Sequence, residues 1–129
     1  MHIDPNQELN RLCNESDQLI FTLRAPFDVR NRNRVPALYQ VKEDREKKLF
    51  CTLLEMGIEK NNAPIGFMSP VEIYVNFLRN RSYLGNVGIV DRSWIRSQEF
   101  EGDYHFRKWP LVEEWLFSHK VLEGKRWTE

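Results

Sequence analysis

The sequence is short of several things, and each shortage excludes a class. Lys plus Arg number 19 and Asp plus Glu number 19, so no net field draws the chain to nucleic acid or lets it mimic one. No apolar run approaches the roughly 20 residues that a membrane-spanning helix needs. The stretch Met1 to Asp17 has neither the basic start nor the apolar core of a secretory signal, and the expectation is a soluble, cytoplasmic chain with no membrane partner. Only two cysteines occur, Cys13 and Cys51, with no C-x-x-C pairing. That leaves no zinc ribbon or thioredoxin-type motif to expect. Six glycines are scattered along the chain; none builds a phosphate-cradling loop, and no serine sits in a nucleophile elbow.

What is present is ordinary globular material. Apolar residues make up 41% and charged residues 29% of 129 residues, which excludes a disordered tail and is enough for one core. A single domain over 1–129 is expected. With no flanking His or Arg cluster to depress a thiol pKa, both cysteines read as buried free thiols, a disulfide or a reactive nucleophile being the alternatives.

Periodicity points to a mainly helical fold of about four helices with a small β-hairpin, α+β being the alternative. Asp4-Pro5 has the form of an N-cap followed by proline at N1, and Leu9, Leu12, Cys13, Leu19, Ile20 and Leu23 recur at helical spacing. They predict a first helix over 5–23; a competing reading breaks it at 14–17 and makes 19–23 a short strand. Residues 24–36, with Pro26, Pro36 and an Asn/Arg alternation, read as an exposed loop. A second helix is predicted over 36–57, with Leu38, Val41, Leu49, Leu53 and Met56 on one face. Its middle, 42–48, is charged at every position, so it should be wet on all sides, with Glu43–Lys47 and Asp44–Lys48 as i,i+4 pairs.

Ser69-Pro70-Val71-Glu72 has the form of a capping box and predicts a third, core helix through Leu78. Residues 83–90 read as irregular or extended chain. From 93 to 109 the pattern turns to a period of two, and a turn at Gly102 would set Phe100 opposite Tyr104 and Glu99 opposite His105. Pro110 opens a fourth helix to Gly124, buried through Leu111, Trp115, Leu116, Ser118 and Leu122. The tail 125–129 should fray.

The chemistry-bearing candidates are weak in motif and stronger in composition. Glu99, Glu101, Asp103 and His105 carry ligand types for a divalent metal. Alternate strand positions lie about 6.7 Å apart, however, so one ion would reach two of them at most. An ordinary cross-strand pair is the preferred reading. Glu123-Gly124-Lys125 has the E-x-K form of some metal-dependent nucleases but falls at a helix end. His119 reads as a complement to a helix C-terminus. No cofactor is implied, and enzymatic activity is not expected, a metal-dependent hydrolase being only the third choice.

Arginine outnumbers lysine 12 to 7 and is clustered. Arg24, Arg30, Arg32 and Arg34 form one group; Arg79, Arg81, Arg92 and Arg96, with Trp94 among them, form another, and Trp127 stands in the charged tail. Arginine and tryptophan dominate protein interface hot spots. Basic residues interleaved with aromatics also suit a nucleic-acid backbone. The leading expectation is a small regulatory protein that docks on a protein partner through these residues. The alternative is a nucleic-acid-backbone binder or ribonucleoprotein subunit. The competing structural reading has the arginines paired with Glu8, Glu15 and Asp17.

Overall fold

The computed structural model describes residues 4–23, 37–62, 71–90, 94–97, 104–106, 109–119 and 121. The expected mainly helical fold of four helices does not form. Among the described residues there are three helices, α1 (Pro5–Glu15), α2 (Asp44–Gly57) and α3 (Trp109–Ser118). Seven strands form one sheet: β1 (Gln18–Leu23), β2 (Ala37–Val41), β3 (Ile58–Asn62), β4 (Val71–Arg79), β5 (Ser82–Val90), β6 (Trp94–Arg96) and β7 (Tyr104–Phe106). The order across it is β2-β1-β4-β5-β6-β7-β3, with every neighbouring pair antiparallel.

The local signals explain where each element starts. The Asp4 side chain accepts from the Asn6 N–H at 3.0 Å, with Pro5 at N1, as an N-cap should. Leu9, Leu12 and Cys13 face inward. Glu8 is buried as well, and the Arg11 guanidinium grips its carboxylate with bonds of 2.8 and 2.9 Å. The helix does not continue to Leu23. It stops at Glu15, and the Asp17 N–H donates to the Leu78 carbonyl at 2.8 Å, which brings the chain into the sheet. Leu19 and Phe21 then point one way and Ile20 and Thr22 the other, all four buried. A strand covered on both faces shows no alternation in sequence, so its periodicity imitates a buried helix.

The same ambiguity overturns the third predicted helix. Val71 to Arg79 is a nine-residue central strand between β1 and β5, with Val71, Ile73, Val75, Phe77 and Leu78 all buried. Its β-branched and aromatic content suits a pleated surface on both sides. The predicted second helix divides: Ala37–Val41 pairs with β1 as an edge strand, and the helix proper begins at Asp44. Residues 82–90 form a full strand, the extended alternative in the reading of 83–90. In the β6–β7 ladder Trp94 lies opposite His105 and Ile95 opposite Tyr104; Glu99 and Phe100, the partners expected for His105 and Tyr104, lie outside the described residues. The expected turn at Gly102 falls outside the described residues; α3 ends at Ser118, short of the predicted Gly124, with His119 and Val121 already out of the helix. In α3 the inward side carries Trp109, Val112, Trp115 and Leu116, while Leu111 and Ser118 are exposed, contrary to expectation.

All three helices contribute to one core against one face of the sheet. Leu9, Leu12, Phe50, Leu54, Val112, Trp115 and Leu116 meet Leu19, Phe21, Val41, Ile73, Val75, Phe77, Val87, Ile89 and Ile95. Phe21, Phe50 and Trp115 form its aromatic centre, with ring centroids 4.7 to 5.6 Å apart. Full burial of each such ring contributes on the order of 2–3 kcal/mol.

Two ties join α1 to α2, and both correct the sequence reading. Cys13 and Cys51 are not free thiols but a disulfide, with Cα atoms 6.0 Å apart. One turn before Cys51, Lys47 is buried, and its Nζ donates to the Cys13 carbonyl at 3.0 Å and to the Ser16 carbonyl. The run 42–48 is therefore not wet on every side. The Asp44–Lys48 pair forms at 2.9 Å, but Lys47 turns inward, away from the role of partner to Glu43. Its charge meets the C-terminal carbonyls of α1, where a cation complements the helix dipole.

Candidate functional site: the outer face of the sheet

The face opposite the helices has its own character. Ile20, Leu78, Val71 and Val90 are buried there apart from the helix-side core. Among them sits Asn76, fully buried, whose Nδ2 donates to the Ile20 carbonyl at 2.8 Å and to Thr22 Oγ1 at 2.9 Å. A buried amide has to be satisfied, and this one ties β4 to β1 in a single register, since Ile20 is its cross-strand partner.

Beside this polar anchor, backbone pairing lines up a row across four strands: Thr22, Tyr74, Gly88 and Arg96. Directly paired residues share a face. Gly88 carries no side chain, so Tyr74 and Arg96 flank it, and the Val71 side chain closes over it: a Cβ at Gly88 would lie 2.6 and 2.7 Å from the two Val71 methyls. Burial pushes the Tyr74 hydroxyl above its ordinary pKa, and the Arg96 charge pulls it partly back. Arg96 and Tyr74 thus feel each other across the glycine. Trp94, two residues from Arg96 and on the same side, stands opposite His105, the rings meeting edge to face at 4.9 Å. Tyr74, Trp94, Arg96, His105 and Asn86 are each half-buried. Asn86 Nδ2 donates to the Tyr83 hydroxyl.

Of the residues singled out in the sequence, Trp94, Arg96 and His105 are thus brought together. Arg79 and Arg81 are not with them: Arg79 ends β4 and Arg81 lies in the β4–β5 turn, about 17 Å along the strand from Tyr74. There Arg79 Nη1 reaches the Glu15 carbonyl at 3.4 Å, and the Asn80 N–H donates to Asp17 Oδ2 at 3.0 Å. Neither bond is the expected arginine–carboxylate pairing with α1: Arg79 meets a carbonyl, and the Asp17 carboxylate accepts from the Asn80 backbone. Arg24, Arg30, Arg32, Arg34, Arg92 and Trp127 lie outside the described residues, as do Glu99, Glu101 and Asp103. Among the described residues no group of three or more His, Cys, Asp or Glu could hold a metal.

Tyr74, Asn76 and Gly88 escaped the sequence reading because a helix over 71–78 puts Tyr74 in the core and separates it from Arg96. The period of two through Glu72, Tyr74 and Asn76 was the available signal.

A second cluster surrounds His119. Its ring stacks on Trp115 at 3.9 Å and 16° and meets the Tyr39 ring edge-on. Nε2 lies 2.9 Å from Glu46 Oε2, Nδ1 lies 2.9 Å from the Trp115 carbonyl, and Ser118 Oγ is 3.2 Å from Nδ1. Serine, histidine and glutamate meet here, but not as a nucleophilic triad. Ser118 Oγ donates to the Trp115 carbonyl at 3.1 Å, and the end of α3 presents carbonyls where an oxyanion needs N–H donors. The cluster fastens α3 to α2.

No protein-family model matches the chain, no curated protein matches it, and no solved structure matches it. No helix among the described residues is long and apolar enough to cross a membrane.

Proposed function

We propose that the chain is a binding protein that docks on a protein partner through the outer face of its sheet. The supporting observation is the row that sets Tyr74 and Arg96 on either side of Gly88, with Trp94 and His105 alongside. Tyrosine and tryptophan bring large contact area at small entropic cost, and arginine brings directional donors, which is why they anchor interfaces. A rigid sheet, pinned in register by Asn76, presents them without an ordering cost on binding. The disulfide between α1 and α2 favours an oxidising compartment over the cytoplasm.

The test is affinity capture from the native cell with the full chain and its Trp94→Ala and Arg96→Ala variants, each checked for an unchanged thermal midpoint. The wild type should recover one stoichiometric protein, and both variants should lose it. Recovery of that protein by both folded variants would end the proposal for this face.

A second reading has one observation in its favour: aromatic rings beside an arginine on an antiparallel face can stack unpaired bases. Its mark would be affinity for single strands that falls steeply with salt. The balanced net charge weighs against it.

A further inference from the structure

The β4–β5 hairpin turns through two residues, Asn80 and Arg81, with Arg79 and Ser82 paired across its neck. Both turn residues have positive φ, 49° and 69°. The right-handed twist of the strands demands this of a two-residue loop, and such loops favour Asn followed by Gly. Asparagine meets the first requirement. At the second position, where glycine adopts positive φ without steric cost, an arginine stands in the left-handed region, which is unfavourable for any residue with a Cβ. Residues held in such a conformation cluster where function needs the side chain. Arg79, Asn80 and Arg81 are all exposed. The tip is also braced: Asp17 Oδ2 accepts the Asn80 N–H, the Glu15 carbonyl accepts from Arg79, and the Asp17 N–H donates to the Leu78 carbonyl. Those contacts fix the corner from which the two arginines project.

We propose that this hairpin tip is a contact prong for carboxylates of a partner protein, with Arg81 as its leading residue. The guanidinium fork matches a carboxylate in two-point geometry. Phosphate offers the same match, but a chain with balanced charge lacks the general field that nucleic-acid binding draws on, so an acidic protein segment is the occupant the charge distribution favours. The site is separate from the outer face and stands without it.

The test uses the full chain with an oligoglutamate peptide as probe and oligothymidylate as the competing chemistry. Variants are Arg81→Gly, Arg81→Lys and Arg79→Gln, with Trp94→Ala as a control on the other face. Arg81→Gly should raise the thermal midpoint by relieving the backbone while weakening oligoglutamate binding about two- to fivefold, the worth of one exposed ion pair. Arg81→Lys, which keeps the charge but not the two-point fork, should bind more weakly than wild type and more tightly than Arg81→Gly, without the gain in stability, and Trp94→Ala should bind the peptide like wild type. Undetectable peptide binding by the wild type, unchanged affinity in Arg81→Gly, or tighter binding of oligothymidylate than of oligoglutamate would each overturn the proposal. A midpoint in Arg81→Gly that does not rise would remove the strain on which it rests.

Discussion

Lys47 Nζ donates to the carbonyl of Cys13 at 3.0 Å, one helical turn from the disulfide that joins Cys13 to Cys51. The end of α1 is thus tied to α2 by a covalent bond and by a buried ammonium at the same point. An ammonium loses its hydration on burial and is tolerated only where oxygen acceptors replace the water. Here these are carbonyls that α1 leaves unpaired at its C-terminus.

Lys47→Met should therefore lower the unfolding free energy by about 1–3 kcal/mol, because the carbonyls of Cys13 and Ser16 lose their donor while the apolar stem is kept. Lys48→Met is the control. Lys48 is 73% exposed and, among the described residues, pairs with Asp44 on the surface, so its loss should cost under about 1 kcal/mol. Urea unfolding of both variants checks the difference; equal effects would mean that the inward turn of Lys47 contributes nothing special.

The disulfide closes a sequence separation of 38 residues that contains β1 and β2. Chain-entropy reasoning gives a loop of that size roughly 4 kcal/mol of stabilisation. Reduction, or the double substitution Cys13→Ser with Cys51→Ser, should lower the unfolding free energy by about 2–4 kcal/mol. It should do so more severely than additively in the Lys47→Met background, since the two ties share Cys13. Free-thiol titration of the unfolded, unreduced chain should find none.

Charge and burial predict two opposite pH dependences. The hydrogen bond from Lys48, aided by the Lys48 and Lys47 charges, holds the Asp44 carboxyl below its ordinary pKa. Its folded form binds a proton less readily than its unfolded form, so this contribution is present above the ordinary aspartate value of about 3.9 and is lost as pH falls below it. Glu55 is the reverse: burial raises its pKa. Its contribution is present in acid and is lost as pH rises through and above the ordinary glutamate value of about 4.3. Glu55→Gln should raise the thermal midpoint at neutral pH and leave it unchanged in strong acid, whereas Asp44→Asn should lower it at neutral pH only. Thermal scans across pH check both signs.

Part of this fold can be read from the sequence and part cannot, and the division follows burial. The start of α1 is legible because Asp4-Pro5 satisfies a local rule. The type of 71–79 is not: Val71, Ile73, Val75, Phe77 and Leu78 are apolar on two faces because the strand lies in the middle of the sheet, and an all-apolar run fits a core helix equally well. The Cys13–Cys51 bond is a contact between two helices, which spacing along the chain does not encode. At the candidate site, Trp94, Arg96 and His105 stand out as residue types, but their company with Tyr74 depends on the β4–β5–β6 register, a long-range property. Lys47 hides inside a charged run whose members 42–45 and 48 stay exposed.

Gly88 offers the sharpest single test of the outer face. A methyl group there would meet the Val71 methyls at 2.6 and 2.7 Å, closer than carbon atoms pack, and Val71 is short and branched with no flexible end to swing aside. Gly88→Ala should therefore cost about 1–3 kcal/mol in stability and push apart the strands that carry Tyr74 and Arg96. With the Arg96 charge farther off, the Tyr74 hydroxyl should titrate at still higher pH than in the wild type, since burial would then act unopposed. Gly85→Ala is the comparison: its Cβ would meet the terminal methyl of Leu12 at 3.0 Å, a contact at the end of a flexible side chain, and should cost less. Pairing Gly88→Ala with Val71→Ala should relieve the collision and return the Tyr74 titration, followed by phenolate absorbance, toward the wild-type value. If Gly88→Ala alone leaves both stability and titration unchanged, Val71 does not close over the glycine and the row from Tyr74 to Arg96 is not the packed unit described above.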